Sequence, residues 1–123
     1  MTGGAARHRF GKGSRIASKH EFARVFDHGK VVVRGPLKAI GLATDLGRPR
    51  LGIVMPRRVG LATRRNRIKR LIREAFRLRA GNSAIDLVVV VRPHAPMKLA
   101  DYRHLLEGIY ERLEREWRSS PAS

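Results

Sequence analysis

The sequence contains no cysteine. That excludes a disulfide framework, a zinc site built on thiolates and a cysteine nucleophile. Long apolar runs are missing as well: the longest, Leu87 to Val91, is far too short to span a membrane. The start, MTGGAARHRFGKGSR, is basic and has no apolar stretch of the kind a secretory signal carries, so a soluble, cytoplasmic chain without membrane contact is expected. Acids are scarce too. Ten Asp and Glu stand against 27 Lys and Arg, a net charge of +17. A chain so self-repelling is expected to meet a polyanion, and nucleic acid is the natural one.

What is present suits one folded domain. The 123 residues are 42% apolar, enough for a core without staples. Residues 1–14 read as a mobile basic arm, residues 15–118 as a single RNA-binding domain and residues 119–123 as a frayed tail. Order is expected from Ser18, where Ser18-Lys19-His20-Glu21 fits a capping box for a helix over 19–28, stopped by Gly29. Val31–Val33, Leu37–Thr44 and Leu51–Met55 read as strands, punctuated by Pro36, the Asp45–Pro49 turn and Pro56. A helix follows over Thr63–Arg79, closed by Gly81-Asn82. Ile85–Val91 reads as a strand buried on both faces. A last helix, about 100–118, carries Tyr102, Leu105, Leu106, Ile109, Leu113 and Trp117 on one stripe. The order is helix, three strands, helix, strand, helix, and one sheet with helices packed on it buries these stripes most simply.

The segment Arg57-Arg58-Val59-Gly60-Leu61-Ala62-Thr63-Arg64-Arg65-Asn66-Arg67-Ile68-Lys69-Arg70 is the main functional signal. At 100° per residue, Ile68, Leu71, Ile72, Ala75 and Phe76 share one side of the helix. Asn66, Arg70, Arg73 and Arg77 lie opposite, flanked by Arg67 and Lys69, with Glu74 as the single acid. A solvated face normally mixes signs so that i,i+4 pairs relieve repulsion. Like charges stacked four apart suit a ridge that tracks phosphates with guanidinium forks. The helix start beside Arg64 and Arg65 adds backbone donors and a positive dipole end. The last helix is the contrast. Glu111–Arg115 and Glu114–Arg118 can pair at i,i+4, which is the pattern of a solvated face.

Here the chain resembles a known family. Arg65-Asn66-Arg67-Ile68-Lys69-Arg70-Leu71-Ile72-Arg73-Glu74-Ala75-Phe76-Arg77, after Arg57-Arg58-Val59-Gly60-Leu61-Ala62, is similar to the RNR signature of the bacterial ribonuclease P protein component. Phe22–Lys30 resembles that family's first helix, Leu51–Val54 its third strand and Asp86–Pro93 its fourth. The resemblance implies an α+β fold, a two-layer α/β sandwich in α-β-β-β-α-β-α order with a mixed four-stranded sheet. It also implies a left-handed crossover through the basic helix, against the general right-handed rule. The implied activity is endonucleolytic removal of the 5′ leader from precursor tRNA by a holoenzyme whose RNA subunit carries the catalysis. Ribonuclease P RNA and precursor tRNA are the implied partners, with no protein partner required. Arg57, Arg58, Arg64, Arg65, Asn66, Arg67, Lys69, Arg70, Arg73 and Arg77 would bind RNA. No cofactor is expected on the protein, and Mg²⁺ is expected at the RNA active site.

Phe22 and Phe26 sit four apart on one helical face, a spacing that fits core packing and base stacking alike. The resemblance points to a leader cleft between this helix and the sheet. Phe22, Phe26, Lys38 and Ile40 are its expected lining, since Lys38, Ile40 and Leu42 share a sheet face. Many members carry an aromatic near Ile40 and a polar Asn-Arg pair near Arg34-Gly35. Contact at Ile40 would therefore be apolar only.

Nothing in the sequence suggests that the protein cleaves RNA itself. Asp27, Asp45, Asp86 and Asp101 are each isolated, and His8, His20, His28, His94 and His104 form no HxH or HxxxH pair, so no catalytic or metal-ligating residue is assigned. A ribosomal-type RNA-binding protein and a stand-alone basic ribonuclease are the alternatives to a ribonuclease P subunit.

Overall fold

The computed structural model describes residues 15–16, 18–44, 48–80 and 84–119. The expected arm at 1–14, the Asp45-Leu46-Gly47 turn, the Gly81-Asn82 stop and residues 120–123 lie outside them. Helix α1 is Lys19–His28, followed by strands β1 Lys30–Arg34, β2 Leu37–Ala43 and β3 Arg50–Val54. A 3₁₀ turn at Arg57–Val59 leads into helix α2, Ala62–Ala80; strand β4 is Ile85–Val91 and helix α3 is Leu99–Ser119. Helix α3 takes in Ser119, one residue into the expected tail.

The sheet order is β1-β2-β4-β3. β1 and β2 are antiparallel through a two-residue turn, Gly35-Pro36, with Arg34 opposite Leu37. Gly35 has φ +53°, which a two-residue hairpin asks of its first turn position, and the proline ring suits the second. β2 and β4 are antiparallel, whereas β3 and β4 run parallel and are joined through α2. This gives the mixed four-stranded sheet and the crossover through the basic helix. Order begins earlier than Ser18: Arg15 bridges Leu51 at the β3 edge, and the Ile16 N–H donates to the Leu51 carbonyl at 3.0 Å.

Period-two alternation divides the strands between two cores. Leu37, Ala39, Leu51, Leu87, Val89 and Val91 meet Ile68, Ile72, Ala75 and Phe76 of α2 and Tyr102, Leu106, Ile109, Tyr110 and Leu113 of α3. Each buried Leu, Ile, Val or Phe among them contributes roughly 1.5–3 kcal/mol by leaving water. This sheet and helix pair form the two-layer body. On the opposite face the shorter α1 covers only part of the sheet, where Val25 packs with Ile16, Ile40 and Val88. The uncovered part leaves Val31 and Val33 about half exposed, at 52% and 51%.

α1 starts as its sequence dictates. The Glu21 N–H donates to Ser18 Oγ at 3.1 Å, and the Ser18 N–H reaches Glu21 Oε1 at 3.5 Å. Its end differs in cause. Gly29 has φ −81°, which any residue adopts, so no left-handed cap is present. Glycine is required for space: a Cβ there would lie 2.6 Å from both Ile40 Cγ2 and the Val25 carbonyl oxygen.

Candidate RNA-binding surface

The basic surface is built on a pinned loop. Val59 is buried in the main core, holding the 3₁₀ turn so that Arg57 and Arg58 point outward. Gly60 has φ 149°, a conformation open essentially to glycine alone. A Cβ at Gly60 would lie 2.7 Å from Arg64 Cδ, so glycine also admits that side chain. Arg65 Nε donates to the Gly60 carbonyl at 3.1 Å and straps the loop to the first turn of α2. That turn holds no acid, so its unpaired N–H groups and positive dipole end are reinforced by Arg64 and Arg65 instead of being offset.

Along α2, Asn66, Arg67 and Arg70 are exposed and Lys69 and Arg73 are half-buried. Among the described residues, Arg57, Arg58, Arg64, Arg67, Lys69 and Arg70 have no acid within salt-bridge distance. Arg77 differs from them. Its guanidinium pairs with Glu74, Nε to Oε1 at 3.2 Å and Nη2 to Oε2, and this holds the Glu74 carboxyl below the usual carboxylate range. Among the expected RNA contacts, Arg77 therefore carries a charge that a neighbouring acid offsets. Arg79, two residues further, is held by Glu107 of α3 at 2.8 Å and Glu114 at 3.4 Å, and lies 4.7 Å from the Tyr110 ring centre. Glu114 can pair with Arg118 by sequence spacing, a contact that lies outside the described side chains. Glu114 reaches across to α2, where the antagonist charge is a neighbour in space.

The two expected surfaces meet in a groove of about 160 Å³ lined by Arg15, Ile16, Phe22, Leu51, Gly52, Ile53, Lys69 and Arg73. Phe22 fills the space over Gly52, where a Cβ would fall 2.7 Å from its Cζ. Burial, with the nearby Arg15 charge, lowers the Arg73 pKa. Phe26 is separate from this groove and is 45% exposed, more than a core residue would be. Lys38 is exposed on the uncovered part of the sheet. Ile40 is a correction. It shares the Lys38 face, but α1 lies over it, against Val25 and Gly29, and it is only 1% exposed. It has no surface to offer a leader.

Three features escaped the sequence reading. Asp86, read as an isolated acid, is fully buried and receives two hydrogen bonds from Arg50, at 2.9 and 2.7 Å. The signal was available, since an acid inside a strand buried on both faces must have a partner. His94 Nδ1 donates to the Arg92 carbonyl at 2.8 Å, which leaves Nε2 to accept from the Tyr102 hydroxyl at 2.7 Å; this fixes the segment between β4 and α3. Arg15 joins the groove through its bridge to β3.

An α+β body with an acid-free cationic loop and ridge, continuous with an aromatic groove, defines a compact RNA-binding protein. The chain belongs to the ribonuclease P protein family: the family model Ribonuclease P matches residues 10–115. It is 36% identical over 93 residues to the ribonuclease P protein component of Syntrophus aciditrophicus, covering 73% of this chain and 78% of that one. It is 34% identical to that of Chromohalobacter salexigens, covering 89% and 88%. The ribonuclease P protein of Thermotoga maritima superposes with a TM-score of 0.71 at 30% identity, covering 80% of this chain and 96% of that one. As a member, the chain is the protein component of an endoribonuclease holoenzyme that works with an RNA subunit in tRNA 5′ maturation. The ribosomal alternative is thereby set aside.

Proposed function

We propose that Arg57, Arg58 and the α2 ridge from Arg64 to Arg73 dock on phosphates of the ribonuclease P RNA, while Phe22, Phe26 and Lys38 hold the single-stranded leader of precursor tRNA. The groove carries this reading. It sets an aromatic ring beside Lys69 and Arg73, so a strand leaving the phosphate ridge meets a stacking surface at once. Guanidinium forks and first-turn N–H groups supply sequence-independent affinity, as a ribozyme partner of fixed shape requires. The RNA subunit performs the phosphodiester cleavage, with Mg²⁺ at its own active site. The protein needs no further protein partner and works in the cytoplasm, where precursor tRNA is processed. No described helix is long and apolar enough to cross a membrane.

The test is reconstitution. The purified chain and a bacterial ribonuclease P RNA, combined at low Mg²⁺, should cleave precursor tRNA only when both are present. The complex should also prefer precursor over mature tRNA, and Phe22→Ala should weaken that preference in a folded protein. Cleavage by the protein alone would overturn the reading.

A further inference from the structure

One guanidinium ties three elements together beneath α1. Arg50 of β3 gives Nε and Nη2 to the two oxygens of Asp86 on β4, at 2.9 and 2.7 Å, and Nη1 to Glu21 Oε2 on α1, at 2.7 Å. Arg50 and Asp86 stand directly opposite in the parallel register. Glu21 is shared in turn: its other oxygen closes the capping box with the Ser18 N–H. Arg24 adds a second cation 4.0 Å from Asp86.

Stability alone does not account for this arrangement, because a buried ion pair is often matched by apolar residues of equal volume. A forked guanidinium adds direction: three N–H groups fixed in a plane leave Glu21 one place to sit. Phe22 is the next residue. Its ring tip occupies the space over Gly52, two residues beyond Arg50 on the same face of β3. A rotation of the first turn of α1 would lift that ring from the groove.

We propose that Arg50 is a positioning residue for leader recognition, holding Glu21 through a fork anchored on Asp86 so that Phe22 lies beside Lys69 and Arg73. This rests on the reading of the groove as the leader site. The test uses the full chain reconstituted with ribonuclease P RNA and compares Glu21→Gln, Arg50→Lys, Phe22→Leu and the double variant Glu21→Gln/Phe22→Leu. Glu21→Gln keeps an oxygen for the capping box and removes the charge that Arg50 holds. It should melt near the wild-type temperature and bind the RNA subunit within about twofold, yet lose roughly three- to tenfold of the precursor-over-mature preference, the size of one well-placed contact. Arg50→Lys, which cannot fork, should lose as much. Phe22→Leu should lose at least that amount, and the double variant no more than Phe22→Leu alone, because both changes act through one ring. If Phe22→Leu lowers the preference and Glu21→Gln does not, the groove reading stands and the positioning role is overturned. Fully additive losses would also overturn it. If neither lowers the preference, the groove is not the leader site and both fall.

Discussion

Arg70 and Arg77 lie two turns apart on one helix and should answer differently to salt. Arg70 is exposed, with no acid within salt-bridge distance among the described residues, whereas Arg77 is paired in bidentate fashion with Glu74. Each phosphate neutralised by a protein cation contributes about 0.7–0.9 to the slope of log affinity against log salt, through released counterions. Arg70→Ala should flatten the slope by that amount. Between about 50 and 200 mM salt, its deficit relative to wild type should therefore shrink roughly threefold. Arg77→Ala removes a charge that Glu74 already offsets, so its slope should match wild type. Glu74→Gln should release Arg77 and steepen the slope by up to one contact. The assay is a binding titration of the chain against ribonuclease P RNA at several salt concentrations, with melting curves as control. Equal flattening by Arg70→Ala and Arg77→Ala, with Glu74→Gln inert, would refute the claim that local pairing decides which cations the RNA uses.

Gly29→Ala should cost about 1–3 kcal/mol or more, because the new methyl meets the backbone oxygens of Val25 and Gly41 at 2.6 and 2.9 Å; a melting temperature within a degree of wild type would contradict this. Asp86→Ala should destabilise by about 3 kcal/mol, because buried Arg50 loses two of its three hydrogen-bonded acceptor oxygens and keeps only the half-exposed Glu21. Under conditions where that variant is folded in the holoenzyme, single-turnover cleavage should stay within a few-fold, and a thousandfold loss would mean chemistry on the protein. Tyr110→Phe should be neutral or gain up to about 1 kcal/mol, since the buried hydroxyl has no hydrogen-bond partner among the described residues; a clear loss in urea titration would reveal a partner. Phe26→Ala should leave stability little changed and lower precursor affinity by up to about 1–3 kcal/mol if bases stack on this half-exposed ring; unchanged affinity would remove it from the cleft.

The elements were legible wherever one local signal was strong. The stripe of Ile68, Leu71, Ile72, Ala75 and Phe76 placed α2 within a residue at each end, and the apolar run from Ile85 to Val91 gave β4 as observed. The Ser18–Glu21 box fixed the start of α1 because capping is a contact between residues three apart. What the sequence did not reveal depends on contacts between distant segments. Period-two alternation put Ile40 and Lys38 on one face but could not say that α1 covers the first and leaves the second open. Arg50 and Asp86 are 36 residues apart, and each looks ordinary in its own neighbourhood. The pairs from Arg79 to Glu107 and Glu114 were hidden because pairing was sought within helices and occurs between them.

Those cross-element pairs give the net charge of +17 a spatial logic. From Arg57 to Arg73 the chain contains no acid. Six described acids beyond that span are paired to cations: Glu21 and Asp86 on Arg50 and Glu107 and Glu114 on Arg79, which join separate elements, and Glu74 on Arg77 and Glu116 on Arg112 within single helices. One loop and the first three turns of one helix thereby carry a run of cations with no acid among them, while the packing of α3 against α2 gains attraction at Arg79. A polyanion on that loop and helix relieves the repulsion among these cations, so binding also stabilises the folded state that binds. The same division sets the length of the ridge. It runs with the helix as far as Arg73, and at the next residue, Glu74, the acids begin.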